Sequence, residues 1–208
     1  MKITIVYDNE APAQYKSDWG FASLVETSQI CLLFDTGASS DILLKNMEKL
    51  KIDPKQIHAV MLSHDHWDHT GGLNGLLSIK PELTIYKPSF SDKPKELYPN
   101  IITTGTLGGK YSIQEQSLIC KTKAGLVIVT GCSHPGLENI LKIAKEFGPI
   151  HAVIGGFHGF DIFEVLKDIS IIMPCHCTSH TREIQRRFPH AYTPGGVGKK
   201  LEFSDYND

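Results

Sequence analysis

Short apolar segments alternate with amphipathic segments along this chain of 208 residues. Runs rich in β-branched and aromatic residues predict strands, because such residues fit a half-buried pleated surface. Apolar positions three and four residues apart predict helices. In the first half, the predicted strands are residues 2–7, 21–26, 29–34, 58–62 and 83–86, and the predicted helices are 39–50 and 72–79.

The second half continues the alternation. Its predicted elements are a hairpin of 116–121 and 126–130, helices at 136–147, 162–168 and 179–188, and strands at 151–154 and 170–173. Residues 87–109, with three prolines and, toward their end, three glycines, predict an irregular connection that either borders a substrate pocket or is a plain surface loop. Hairpins mixed with crossovers favour an α/β fold in which helices cover two sheets.

The two halves also resemble each other. A strand ending near Thr36-Gly37, a helix, a further strand and His64 are matched by Thr130-Gly131, a helix, a further strand and His158. A duplicated unit would give two similar sheets with the loops after equivalent strands on one edge. A chance match of two common strand-turn-helix units is the alternative.

Composition limits the class of protein. The length and a hydrophobic content of 41% predict a single domain over residues 1–208. The net charge of −2, with acidic and basic residues interspersed, predicts no nucleic-acid partner. We find neither a signal peptide nor an apolar stretch of membrane-spanning length, so the sequence predicts a cytoplasmic protein without a membrane partner. The oligomeric state stays open.

Five cysteines, an odd number, argue against a disulfide framework. Cys31 and Cys120 lie in apolar runs and are predicted to be buried thiols. Cys132, Cys175 and Cys177 each lie near a histidine in a predicted turn. Clustered histidine and cysteine side chains are the first indication of a metal site.

The densest cluster follows the strand predicted at 58–62. Within six residues it contains His64, His66, Asp68 and His69. In an extended stretch His64 and His66 point to one side, and the turn that follows aims Asp68 and His69 at a second ion. Imidazole and carboxylate suit zinc, iron, manganese or nickel, and two neighbouring ions can share an acidic water.

This segment resembles the H-x-H-x-D-H signature of the metallo-β-lactamase superfamily, and Asp35-Thr36-Gly37 resembles the turn that precedes it there. The resemblance extends over nearly the whole chain. Residues 130–136, 155–158 and 175–178 are similar to the branch of dihydropterin-ribofuranosylaminobenzene 5′-phosphate synthases. It implies a four-layer αββα sandwich with two internally similar halves, and mostly hydrolytic chemistry.

The resemblance also implies roles for individual residues. His64 and His66 match the ligands of the first metal, and Asp68, His69 and His176 match those of the second. The chain departs from the pattern at two places. Cys132 stands where many relatives carry a bridging aspartate, and the usual Gly-His motif is absent near Glu115-Gln116.

His134 is our choice for the missing histidine ligand, although a histidine before Pro135 can also serve only to cap a helix. Cys132 is either a thiolate ligand, which favours iron or zinc, or a neighbour of the ligands. Cys175 and Cys177 flank His176 and are expected to point away from it in an extended loop.

Four further residues complete the predicted site. Asp35 is expected to hold a ligand histidine by hydrogen bonding rather than to touch metal. His158 is predicted to stabilise an oxyanion or a phosphate, with a purely structural hydrogen bond as the alternative. Thr178 and Ser179, at the start of a predicted helix, are candidates for binding a phosphate or for capping alone.

The sequence thus predicts a hydrolase with two divalent ions, zinc first and iron, manganese or nickel as alternatives. Asp68 positions the water that attacks a small ester or phosphoester, and the substrate is a small molecule, possibly phosphorylated. A pterin-related synthase or transferase and a non-haem di-iron redox enzyme are the alternatives, and the absence of a flavin domain speaks against the second.

Overall fold

The computed structural model describes residues 1–109 and 112–206. The chain divides into two compact units, one of Met1–Lys87 with Gly195–Phe203 and one of Pro88–Pro194 with Ser204–Asp208. Each unit is built on one mixed sheet of six strands.

The first unit contains six strands and three helices. Its strands are β1 (Lys2–Tyr7), β2 (Ala22–Glu26), β3 (Cys31–Phe34), β4 (Ala59–Met61), β5 (Thr84–Tyr86) and β14 (Lys200–Glu202). Its helices are α1 (Ser40–Leu50), α2 (Trp67–Thr70) and α3 (Leu73–Ile79). The sheet order is β14-β1-β2-β3-β4-β5, and only the β3-β4 and β4-β5 pairs are parallel.

The described residues of the second unit form eight strands and two helices. Its strands are β6 (Lys95–Tyr98), β7 (Ile101–Thr103), β8 (Leu107–Gly108), β9 (Gln114–Glu115), β10 (Leu118–Thr122), β11 (Gly125–Thr130), β12 (Ile150–Gly156) and β13 (Ile171–Cys175). Its helices are α4 (Leu137–Ala144) and α5 (Thr181–Arg187). The main sheet runs β13-β12-β11-β10-β7-β6, and β8 pairs with β9 alone.

Helices cover one face of each sheet with apolar side chains. In the first unit, Leu43 and Met47 of α1 lie four residues apart and are fully buried in a cluster with Leu33 and Val60. In the second unit, α4 buries residues Leu137, Ile140, Leu141 and Ala144 in one cluster with strands β11 and β12. A fully buried Leu or Ile contributes about 1.5–3 kcal/mol relative to an exposed one.

The internal repeat is present in the topology. The order β1-β2-β3-β4-β5 has two antiparallel pairs followed by two parallel pairs, and so does β7-β10-β11-β12-β13. A helix connects β3 to β4 in the first unit and β11 to β12 in the second. The predicted α/β class and the two internally similar halves are therefore confirmed.

The structure corrects the prediction for 87–109, which is not simply irregular. It contains β6, β7 and β8, each four residues long or shorter. The helix predicted at 162–168 is a single 3₁₀ turn at Phe163–Leu166, and α5 begins at Thr181, two residues later than predicted. Within the described residues, the helices lack the length and apolar character needed to cross a bilayer.

Candidate metal centre

In the first unit, the predicted ligands gather in the loop and short helix after β4. The rings of His64 and His66 have centroids 4.5 Å apart, and those of His64 and His69 are 4.2 Å apart. Nε2 of His69 lies 4.0 Å from Oδ2 of Asp68. Three imidazoles and one carboxylate are thus held within a few ångströms, as the spacing in the sequence predicts.

Asp35 fixes the orientation of this loop. Its carboxylate is fully buried and accepts hydrogen bonds from the Ser63 amide at 2.6 Å, the Ser63 hydroxyl at 2.7 Å and Nδ1 of His69 at 2.7 Å. Because a carboxylate only accepts hydrogen bonds, His69 carries its proton on Nδ1. The lone pair is then on Nε2, which takes no part in this hydrogen bond and can bind a metal. Asp35 therefore lies where the sequence predicts a residue that sets a histidine tautomer.

The same reasoning fixes His64. Oγ of Ser63 lies 2.8 Å from Nδ1 of His64, and the single hydroxyl proton is already directed to Asp35. Nδ1 of His64 then acts as the donor, so its Nε2 also carries the lone pair. Metal-binding histidines are commonly held in this way through their second ring nitrogen.

Close backbone packing holds the same segment against the turn after β3. The amide and hydroxyl of Thr36 both donate to the carbonyl of His69, at 2.8 and 2.9 Å. A Cβ atom added at Gly71 or Gly72 would lie 2.1 Å from a carbonyl oxygen of that turn. The two glycines are therefore required by the close approach of the two backbones.

In the second unit, Glu115 holds the loop after β11 through hydrogen bonds to its carboxylate, as Asp35 holds the loop after β4 in the first unit. Its buried carboxylate accepts from the amides of Cys132 at 2.9 Å, Ser133 at 2.8 Å and His134 at 2.9 Å. Nδ1 of His134 also donates to it, at 2.8 Å. His134 therefore presents its Nε2 lone pair in the same manner as His69.

Sequence reasoning missed Glu115. It marked this region only as the place where a histidine motif is absent, and an acidic residue before an apolar strand is a weak signal. The partners of the carboxylate lie 17 to 19 residues further along the chain, so local spacing does not reveal them.

His158 and His176 lie in the loops after β12 and β13. Both have left-handed backbones, with φ of 46° and 48°, and so does Ser133 with φ of 59°. Such conformations are costly for non-glycine residues and concentrate at functional sites. The ring of His158 makes an edge contact with that of His134, with centroids 5.2 Å apart.

One of the two cysteines that flank His176 differs from the prediction. Sγ of Cys177, a ligand nitrogen of His176 and Sγ of Cys132 all lie within 4.8 Å of one another. The left-handed residue at His176 breaks the alternation of an extended loop, so Cys177 turns to the same side as the histidine. The expectation that Cys177 points away was wrong, whereas Sγ of Cys175 contacts the Met173 carbonyl at 3.6 Å.

The candidates for phosphate binding have structural partners. The Thr178 hydroxyl donates to the Cys175 carbonyl at 2.8 Å and accepts from the Phe157 amide at 2.9 Å. The Ser179 amide donates to the His158 carbonyl at 2.8 Å. These bonds tie the loop after β12 to the loop after β13, and a phosphate role for Thr178 and Ser179 stays a prediction.

A cavity of about 480 Å³ opens within the second unit beside His134 and His158. Its walls come from the start of α4, the loop after β12 and the end of the segment predicted to border a pocket. They include apolar, acidic and small residues, among them Gly108, Gly109, Leu137, Glu138, Phe157, Phe160, Asp161 and Ile162. The two histidines thus face a space large enough for a small molecule.

The donors in both units fit divalent metal ions. Nδ1 of His64, His69 and His134 is occupied by a buried hydroxyl or carboxylate, which leaves Nε2 of each as the donor. Imidazole, carboxylate and thiolate together suit zinc and neighbouring transition metals better than magnesium or calcium. The chemistry of the residues therefore agrees with a metal centre.

Comparison with known proteins identifies the family of this chain and several relatives. The model of the metallo-beta-lactamase superfamily matches residues 20–164. The chain is 29% identical to 7,8-dihydropterin-6-methyl-4-(beta-D-ribofuranosyl)-aminobenzene-5′-phosphate synthase of Methanocaldococcus jannaschii, over 83% of this chain and 84% of that protein. It is also 25% identical to an uncharacterised protein of that organism, over 95% and 98% of the two chains.

A solved structure of a metal-dependent hydrolase of the beta-lactamase superfamily is also similar. It matches with a TM-score of 0.83 and 28% sequence identity, over 99% of this chain and 100% of that one. The fold is therefore the metallo-β-lactamase fold, with two mixed sheets and flanking helices. By its signature, its fold and its family match, this chain belongs to the metallo-beta-lactamase superfamily.

Proposed function

We propose that the protein is a metal-dependent hydrolase of small ester or phosphoester substrates. The ligands would be His64, His66 and His134 for one divalent ion, and Asp68, His69 and His176 for a second, with zinc as the first choice of metal. The observation that carries the proposal is the pair of buried carboxylates, Asp35 and Glu115, that fix the Nδ1 atoms of His69 and His134 at 2.7 and 2.8 Å.

Two divalent ions at such a centre supply Lewis acidity and make water acidic near neutral pH. The residues of the chain orient the water and transfer its proton. Asp68 orients the water and takes its proton as the new bond to carbon or phosphorus forms. His158 donates a hydrogen bond to the developing oxyanion, and the leaving oxygen receives the proton as its bond to carbon or phosphorus breaks.

The cavity beside His134 and His158 is the proposed substrate site. Phe157, Phe160 and Leu137 give it an apolar wall, and Glu138 and Asp161 supply carboxylates at its edge. An apolar pocket with a few polar groups is typical of sites for small organic molecules. We therefore propose a small-molecule substrate, without a nucleic-acid or membrane partner.

Hydrolysis of a generic phosphodiester and a generic thioester by the metal-loaded protein tests this function. Asp68→Asn should lower kcat by about 100-fold or more, which is the usual contribution of a positioned acid or base. Asp65→Asn is the matched control, since this neighbouring carboxylate is exposed and outside the predicted ligand set. Turnover by the Asp68 variant equal to that of the Asp65 variant would exclude the proposed role.

A synthase is the second candidate, because the relative with 29% identity, of which the match covers 84%, is named as one. In that case the cavity would hold a pterin-like ring. The second substrate, instead of water, would displace a phosphate or other leaving group from it. Mass spectrometry of reactions between a dihydropterin with a leaving group and 4-(β-D-ribofuranosyl)aminobenzene 5′-phosphate distinguishes the two. A joined product without hydrolysis of either generic substrate would favour the synthase.

A further inference from the structure

Two cysteines and one histidine of the second unit form a group of metal-binding type. Sγ of Cys132, a ring nitrogen of His176 and Sγ of Cys177 all lie within 4.8 Å of one another. Cys132 is 3% exposed, and the other two residues are partly buried. Cys132 follows β11, whereas His176 and Cys177 follow β13, so the fold brings together donors that are more than 40 residues apart in sequence.

Three features of the backbone hold this arrangement. Glu115 accepts from the amide of Cys132 at 2.9 Å and so fixes that loop. His176 has φ of 48°, which turns Cys177 toward the histidine. A Cβ atom added at Gly156 would lie 2.8 Å from Sγ of Cys177 and 3.4 Å from Cα of Cys132. Gly156 therefore leaves the space in which the Cys177 thiol lies.

We propose that Cys132, His176 and Cys177 bind one divalent ion together, so that this ion has two thiolate ligands. The inference rests on the proposed function, because it concerns the ion for which His176 is already a proposed ligand, and it adds Cys132 and Cys177 to the ligands of that ion. Neighbouring ligand atoms around one zinc ion lie about 3.4–3.8 Å apart, given Zn–S of about 2.3 Å and Zn–N of about 2.0 Å. The three donors lie within 4.8 Å of one another, an upper bound about 1 Å above that spacing.

Thiolate donors change the chemistry of the centre. They are softer than carboxylate and favour zinc or ferrous iron over magnesium, calcium or manganese. Two thiolates also neutralise the charge of one divalent ion, whereas a pair of imidazoles does not. With these two thiolates and Asp68 as anionic ligands, the second ion would be a weaker Lewis acid than the ion bound by His64, His66 and His134.

Cobalt substitution tests the ligand set. After removal of the native metal with a chelator, the protein is loaded with Co²⁺ and its near-ultraviolet spectrum is recorded. Cobalt bound by thiolate gives an intense charge-transfer band, and Cys132→Ser and Cys177→Ser should each remove about half of it, since each deletes one of two sulfur ligands. Cys175→Ser is the matched control, because its thiol contacts the Met173 carbonyl instead of this group.

A second measurement needs no variant. X-ray absorption at the zinc edge of the wild-type protein should show sulfur scattering at about 2.3 Å from zinc. Binding of cobalt with no thiolate band, or an unchanged band in Cys177→Ser, would overturn the inference and leave the proposed function standing. A disulfide between Cys132 and Cys177 in peptides mapped without reductant would also overturn it, and failure to bind any metal would overturn both proposals.

Discussion

Asp35 and Glu115 perform the same chemical task in two units of the same topology. Each is a fully buried carboxylate, and each accepts from backbone amide and imidazole N–H groups of a loop that carries predicted ligands. The position of Asp35 follows from its motif in the sequence. That of Glu115 does not, because its four strong hydrogen bonds depend on a long-range pairing of β9 with the loop after β11.

Replacement of Glu115 by Gln tests whether this carboxylate positions His134 and its loop. The amide has one oxygen instead of two, and its NH₂ group faces amide donors. Each buried N–H left without an acceptor costs about 1–3 kcal/mol, and loss of such a positioning residue lowers metal affinity by about 10–100-fold. Competition with a fluorescent chelator measures the affinity, and thermal unfolding of the metal-free protein measures the stability.

The matched control is Glu138→Gln, since Glu138 lies in the first turn of α4 in the same unit. Its substitution should leave the metal affinity unchanged. If both variants bind metal as the wild type does, Glu115 has no part in positioning His134.

The thiols outside the candidate centre should be unreactive. Burial raises the pKa of Cys120 to about 12, and burial with the charge of Glu26 raises that of Cys31 to about 11. Both thiols therefore stay protonated in the folded chain at pH 8, whereas in the unfolded chain they ionise near their ordinary pKa of about 8.5. These two thiols therefore contribute fully to the free energy of unfolding below that pH. Their contribution is lost as the pH rises toward their pKa values in the folded chain.

Labelling with a thiol reagent at pH 8, followed by peptide mass mapping, checks this expectation. Cys120 should react at least about 100-fold more slowly in the folded protein than in urea, because its raised pKa leaves far less thiolate at pH 8 in the folded chain. Equal rates in the two states would contradict the burial of the Cys120 thiol.

At the scale of elements, the strands made of buried apolar runs were predictable and the two-residue strands were not. The predictions at 2–7, 29–34 and 58–62 each contain a strand of the first unit. In contrast, β8 and β9 have only two residues each, so no period is visible in the sequence, and their pairing is decided by contacts between segments. The same limit explains why the left-handed turn at His176 and the position of Cys177 were missed.

The junction of α2 and α3 supports a prediction at this scale. Gly72→Ala places a methyl group 2.1 Å from the Thr36 carbonyl oxygen, which belongs to the turn that holds the His69 carbonyl. Overpacking of this kind should lower the free energy of unfolding by about 1–3 kcal/mol. Gly159→Ala is the control, because a Cβ atom at Gly159 would meet nothing within 4 Å. Urea unfolding of both variants gives the comparison, and equal midpoints would contradict the close approach.

At the scale of the whole molecule, the sequence predicts the α/β class, the internal repeat and the family, because these depend on patterns spread over many residues. The histidine-aspartate run is equally visible, since its ligands are adjacent. What the sequence does not reveal are the residues that act across long separations, Glu115 above all. Their function depends on which loops the sheets bring together in each unit.

The central claim is that this chain holds two divalent ions, and metal content measures it most directly. Protein purified without chelator is analysed by plasma mass spectrometry, beside the variant His134→Ala. We predict close to two zinc, iron or manganese ions per wild-type chain and about one in the variant, because we propose His134 as a ligand of only one of the two ions. One ion or none in the wild type, or two in the variant, would contradict the account.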